Sequence, residues 1–184
     1  MITRQVVAIA LICLLSAFAR GQDKPAFTFE VEDCTIEQYA IKHGQPVSFS
    51  IGFPKGWRKN VETANVPLLC SFWSMPVLPN GASIIVFRTS RTTAKENAER
   101  YAASALKRGY IQKGFGPITT RAGDSGYLAV FEAKVGQDHK TLTLSDFFFH
   151  VGTAGAIRIS ISTITEDSDL LIQLHRLVLE TLRF

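Results

Sequence analysis

Cysteine is scarce in this chain, with three in 184 residues. That excludes a small secreted scaffold in which disulfides replace a core. No long apolar run follows the first twenty residues, so the sequence offers no second helical membrane span. Internal repeats, low-complexity tracts and long linkers are absent. Neither sign of charge dominates: 20 basic residues face 16 acidic ones. Such mild basicity argues against nucleic acid as the default partner and leaves an anionic surface open.

What is present begins with an export signal. Arg4 provides a positive start, Val6 to Ala17 is apolar, and Ala17-Phe18-Ala19 offers a small-x-small cleavage site. Residues 1–19 are therefore expected to leave, with cutting between Ala19 and Arg20; an uncleaved anchor is the alternative. Lipid attachment at Cys13 is disfavoured, because Ile12 fills the position that needs a small residue. Residues 20–25 then form a short flexible leader, and 26–184 a single domain large enough for its own core. The signal removes one basic residue and no acid, which leaves 19 against 16, a net +3. Cys34 and Cys70 survive as an even pair in an oxidising compartment, and a disulfide is the favoured reading. Closing a loop of about 36 residues would contribute roughly 4 kcal/mol. Two reduced, buried thiols are the alternative. A metal pair is disfavoured, since neither cysteine has a second ligand at the usual spacing.

Hydrophobic periodicity sets the expected elements. Ala26 to Glu32 alternates weakly, and Val47 to Phe53 alternates cleanly. Pro67 to Trp73 and Ala82 to Arg88 flank Pro79-Asn80-Gly81, which reads as a hairpin. Thr93 with Glu96 forms a capping box and Gly109 a stop for a helix, whose apolar side is Ala94, Ala98, Tyr101, Ala102, Ala105 and Leu106. Strands are expected near 115–121, 127–135, 141–151 and 156–164. Phe147-Phe148-Phe149 predicts a central strand covered on both faces. A last helix starts at Asp167 or Ser168 and packs through Leu170, Leu171, Leu174, Leu177, Val178 and Leu182. This order predicts an α+β domain with a mostly antiparallel sheet.

Gly123-Asp124-Ser125-Gly126 has the letters that surround a trypsin-type nucleophile. Such a serine needs a histidine and an aspartate earlier in the chain. His43 is the one preceding histidine, and between it and Ser125 the sole aspartate is Asp124 itself. Forcing Glu62 into that role does not help, because nothing around His43 resembles a base segment. Tyr127 also breaks the G-x-S-x-G elbow of the α/β-hydrolases. The four residues are turn formers, and a hairpin is expected.

The remaining histidines give no site. His139 sits in a turn, and His175 is expected to be a partly exposed helix residue. Asp146 and His150 lie four residues apart on one strand face, about 13 Å, too far to hold one metal alone. Lys107, Arg108 and Lys113 suit a helix C-terminus without any ligand. Lys55, Trp57, Arg58 and Lys59 are more suggestive. They follow a strand and a Pro-Lys-Gly turn and could form an aromatic-plus-cation patch for an anionic partner. A tryptophan capping the core among solvated charges is the plainer reading.

The Phe-Pro-x-Gly-Trp turn, the Ile84–Phe87 strand, the Glu96–Gly109 helix, the glycine-rich strand after it and the terminal helix ending Leu179-Glu-Thr-Leu-Arg-Phe184 come in a familiar order. From about Val47 to Phe184 the chain resembles the PsbP-like superfamily, which includes PsbP, Mog-type and DcrB-like proteins. The resemblance implies an α-β-α sandwich with helices on both faces of the sheet. It also implies binding, assembly or accessory roles rather than a shared catalytic site. The expectation is thus an exported, non-catalytic accessory or binding protein of the bacterial envelope. It would have no cofactor or metal and an unknown protein or envelope component as partner. A small-ligand or metal carrier is the alternative, and a hydrolase using Ser125 a lesser one.

Overall fold

A computed structural model describes residues 29–36, 47–61, 68–74, 82–88, 93–135, 140–151, 155–164 and 168–184. The expected signal, its Ala19–Arg20 cleavage site, the leader, His43, Glu62, His139 and the Asn80-Gly81 turn lie outside these residues. Nine strands are described: β1 (Phe29–Ile36), β2 (Val47–Pro54), β3 (Arg58–Val61), β4 (Leu68–Trp73), β5 (Ser83–Arg88), β6 (Ile111–Thr119), β7 (Ser125–Val135), β8 (Lys140–Val151) and β9 (Gly155–Ile164). Two helices, α1 (Ala94–Lys107) and α2 (Ser168–Thr181), accompany them.

β1 and β2 pair as a two-stranded sheet, while the other seven form one sheet in the order β3-β4-β5-β9-β8-β7-β6. Every pair is antiparallel. From β5, α1 crosses the sheet to reach the edge strand β6; the chain then returns through β7 and β8 until β9 pairs with β5. Alternation along the strands separates two cores. Ile157, Ile159, Ile161, Phe147 and Phe149 point to one face, where Leu174 and Val178 of α2, with Leu182 just after it, meet Phe49, Ile51 and Phe53 of β2. Phe131, Phe148 and Ala129 point to the other and receive the alanine stripe of α1. The result is an α-β-α sandwich, and the triple phenylalanine is buried from both sides as its pattern predicts.

The start of α1 is the capping box read from the sequence. Thr93 Oγ1 accepts from Glu96 N–H at 3.2 Å, and Glu96 Oε2 accepts from Thr93 N–H at 3.0 Å. The Thr93 N–H and, after it, the Thr93 Oγ1–H, which donates to the same Oε2 at 3.0 Å, hold the Glu96 carboxyl below its ordinary pKa. At the other end the packing expectation fails for one residue. Leu106 is 51 % exposed rather than packed, because the stripe that meets the sheet ends at Ala105. β3 was not foreseen: four residues carry too little periodicity to register as a strand.

A close approach ties α2 to β2. Gly52 N–H donates to Thr181 Oγ1 at 2.7 Å, and Thr181 Oγ1–H donates to Leu177 C=O at 2.7 Å. A Cβ on residue 52 would lie 2.7 Å from Thr181 Oγ1 and 3.0 Å from Leu177 Cδ1. Gly52→Ala is therefore expected to destabilise the fold by about 1–3 kcal/mol in urea unfolding, through overpacking. Adding Thr181→Ser, which removes the crowded methyl at 2.8 Å, should restore part of that loss.

Candidate functional site

The turn from β2 to β3 carries the predicted patch. Trp57 N–H donates to Pro54 C=O at 3.2 Å, and Gly56 has φ 84°, a backbone conformation that glycine adopts without strain. The turn takes the chain from the two-stranded sheet to the edge of the large one, where Arg58 pairs with Trp73. Phe53 and Phe72 stack across this junction with centroids 4.3 Å apart. Trp57 packs half-buried against the α2-side core, while Lys55, Arg58 and Lys59 stay exposed. The geometry is that of the plainer sequence reading: the ring rests on the core and the cations around it face water.

The two cysteines sit on different sheets. Cys34 pairs with Phe49 in the two-stranded sheet, and Cys70 lies between Val61 and Val86 in the large one. Their side chains lie outside the described atoms.

The Gly123–Gly126 stretch makes the β6–β7 turn. Thr120 N–H donates to Asp124 C=O at 2.9 Å, Gly123 N–H to Thr120 C=O at 3.0 Å, and Gly123 has φ 98°. Thr120 Oγ1–H donates to Asp124 Oδ2 at 3.1 Å, so the aspartate is spent inside the turn. Ser125 is exposed at the start of β7 and pairs with Thr119. The β7–β8 register, which sets Gly126 against Phe149, places Ser125 beside His150 at the same end of the sheet. Sequence reasoning did not anticipate that neighbourhood. No hydrogen bond joins the two side chains, and the nearest acid along that face of β8, Asp146, is engaged elsewhere.

Asp146 is the main feature that the sequence reading missed. It is 0 % exposed on the α1 side of β8, with Arg158 of β9 across from it. Asp146 pairs with Ser160 and Phe148 with Arg158, so the ion pair runs diagonally, Arg158 Nε lying 3.5 Å from Asp146 Oδ1. The Arg158 guanidinium sits 4.6 Å above the Tyr101 ring, which α1 lays over the pair. Burial pushes the Asp146 carboxyl above its ordinary pKa; Arg158, the Ser160 and Tyr101 hydroxyls and Arg108 pull the other way. Burial, with the Asp146 charge beside it, pushes the Tyr101 phenol up to about 12. The polar row Arg158, Ser160, Ser162 thus faces the α1 layer rather than open water. With Asp146 0 % exposed and the Tyr101 ring over Arg158, the pair orients α1 on the sheet.

His175 departs from expectation. It is 1 % exposed under α2, edge-on to Phe147 with centroids 5.1 Å apart. Neither ring nitrogen meets a hydrogen-bond partner among the described residues. Burial pushes its pKa down to about 3. The stripe Leu174, Leu177, Val178 was read correctly, but the ring belongs to that stripe, one residue after Leu174. Lys113, read as a helix-end cation, instead pairs with Glu132 of β7 at 2.8 Å. Among the described residues no three histidine, cysteine, aspartate or glutamate side chains gather at metal-binding distance. No described helix is long and apolar enough to cross a membrane.

No protein-family model and no curated protein matches the chain. Solved structures do. LpqN of Mycobacterium tuberculosis, involved in cell envelope biogenesis, aligns with TM-score 0.57 and 16 % identity over 83 % of this chain and 90 % of its own. A Pseudomonas aeruginosa protein of unknown function aligns at 0.46 and 16 % identity, over 69 % of this chain and 88 % of that one. The Saccharomyces cerevisiae Ran-binding protein Mog1p aligns at 0.41 and 12 % identity, over 80 % and 89 %. The LpqN likeness is one of fold, and it agrees with the sandwich that the sequence resemblance implies.

Proposed function

We propose that this chain is an exported, non-catalytic accessory protein of the bacterial cell envelope with a PsbP-like fold. It acts by contacting a protein or envelope component through Lys55, Trp57, Arg58 and Lys59. The observation that carries the contact site is the anchored turn, a half-buried Trp57 ring ringed by exposed cations on a strand-to-strand junction. The N-terminal export pattern and the fold shared with an envelope-biogenesis protein support the location. The engagement of Asp124 within its turn and of Asp146 with Arg158 supports the non-catalytic reading, since neither acid is placed to orient a base for Ser125. Cys34 and Cys70 form a disulfide in the exported chain; a free-thiol count of zero before reduction and two after is the expected result.

Trp57→Ala combined with Arg58→Glu is expected to weaken partner binding at least about tenfold, since aromatic and arginine anchors dominate interfaces. The variant should still be exported and unfold cooperatively. Equal recovery of the partner with variant and parent would remove the patch from the account. Labelling by a fluorophosphonate, abolished in Ser125→Ala, would replace the accessory reading with a hydrolase.

A further inference from the structure

We propose that the corner where α1 ends and β6 begins docks onto an anionic phospholipid bilayer. The proposal rests on the reading of export for access to such a bilayer, but its chemistry is independent of the Trp57 turn. Among the described residues five large apolar side chains are exposed, and two of them flank this one bend: Leu106 at 51 % and Ile111 at 60 %. Gly109, with φ 81°, makes the bend between them. Lys107, Arg108, Lys113 and Lys134 are exposed around the same corner. Glu132 is the acid in the lining, and Lys113 engages it at 2.8 Å. No described acid makes a salt bridge with Lys107, Arg108 or Lys134.

The arginine is also held in place. Its guanidinium lies 4.9 Å over the Tyr110 ring and 5.7 Å from that of Tyr101. Beside it opens a cavity of ≈ 290 Å³ lined by Arg108, Tyr110, Ile111, Glu132, Lys134 and Thr141, among others. Helix-end stabilisation explains Lys107 and Arg108 but not two aliphatic side chains kept in water beside them. A free anion would use the cations and leave Leu106 and Ile111 idle. A bilayer interface uses both, since aliphatic insertion and cation attraction add there.

The test is co-sedimentation of the purified full chain with vesicles of phosphatidylglycerol and phosphatidylcholine, and with phosphatidylcholine alone. Binding is expected to the anionic vesicles, falling with salt and untouched by millimolar glycerol phosphate. Lys107→Glu with Lys134→Glu is expected to weaken it at least about tenfold, and so is Leu106→Asp with Ile111→Asp. All four positions are exposed, so unfolding should match the parent; if the aspartates disturb it, Leu106→Ser with Ile111→Ser takes their place. No binding, equal binding to both vesicles, or variants that bind like the parent would overturn the proposal. Loss with the charge variant alone, together with competition by glycerol phosphate, would do the same and assign a small-anion site. None of these outcomes bears on the Trp57 patch, whose variants should sediment like the parent.

Discussion

His175→Leu is expected to keep or raise stability at neutral pH and to hold, in acid, the stability that the parent loses. The parent buries an imidazole whose two nitrogens lack partners among the described residues, edge-on to Phe147. Replacing it with an apolar side chain of similar size removes those unsatisfied groups, a change that is nearly neutral or stabilising. The pH dependence follows from linkage. Burial lowers the folded pKa to about 3, whereas the unfolded chain protonates near 6.5. The contribution is therefore complete above 6.5 and is lost as pH falls from there towards 3. Over that window the loss is on the order of 4 kcal/mol, and the variant should not show it. Carboxylates titrate in the same range, so the quantity to read is parent minus variant in urea unfolding. A difference that stays flat from pH 7 to pH 4 would mean that the ring reaches water or a partner.

Arg158→Met is the second large effect. It leaves Asp146, 0 % exposed, without its counter-ion and should cost about 3 kcal/mol at neutral pH. The reverse change, Asp146→Asn, should cost less, because the Arg158 side chain is 21 % exposed and can reach water while keeping its place over Tyr101. The two changes should not add: Asp146→Asn in the Arg158→Met background is expected to recover most of the loss, since no buried charge then remains. The pH dependence runs opposite to that of His175. Asp146 has a raised folded pKa, so stability is gained as pH falls through that value and lost as it rises. Arg158→Met should therefore be worst above neutrality and improve in mild acid. If the single and double variants fall equally, the pair contributes nothing to docking α1.

These two sites show where the sequence stops being readable. Local chemistry was legible. Thr93 and Glu96 are three apart, and their capping box needs no tertiary knowledge; the same holds for the Thr120–Asp124 turn, whose glycine and aspartate mark it. The triple phenylalanine gave a central strand because alternation forces residues 147 and 149 to one face and 148 to the other. The Asp146–Arg158 pair depends instead on register. In isolation Asp146 interrupts one apolar strand and Arg158 another, and only the β8–β9 pairing sets them diagonally opposite. His175 was misjudged because histidine at a helix position beside an apolar stripe is commonly solvated, and nothing local shows the stripe widening over Phe147. For Leu106 the error was opposite: helical spacing puts it with Ala98, Ala102 and Ala105, yet the helix has already passed the buried strands. The Trp57 turn was found in the sequence, and the fold adds the stacked Phe53–Phe72 junction that holds it.

The contact surface is the centre of this account, and site-specific photo-cross-linking in living cells addresses it most directly. A photoreactive residue replaces Lys55 on the turn, and in a second strain Lys95, exposed on the first turn of α1. The account predicts a discrete adduct with an envelope component from position 55, absent from 95 and lost when Trp57→Ala is added. Adducts of equal yield from both positions, or from 95 alone, would contradict it and move the working surface away from the Trp57 turn.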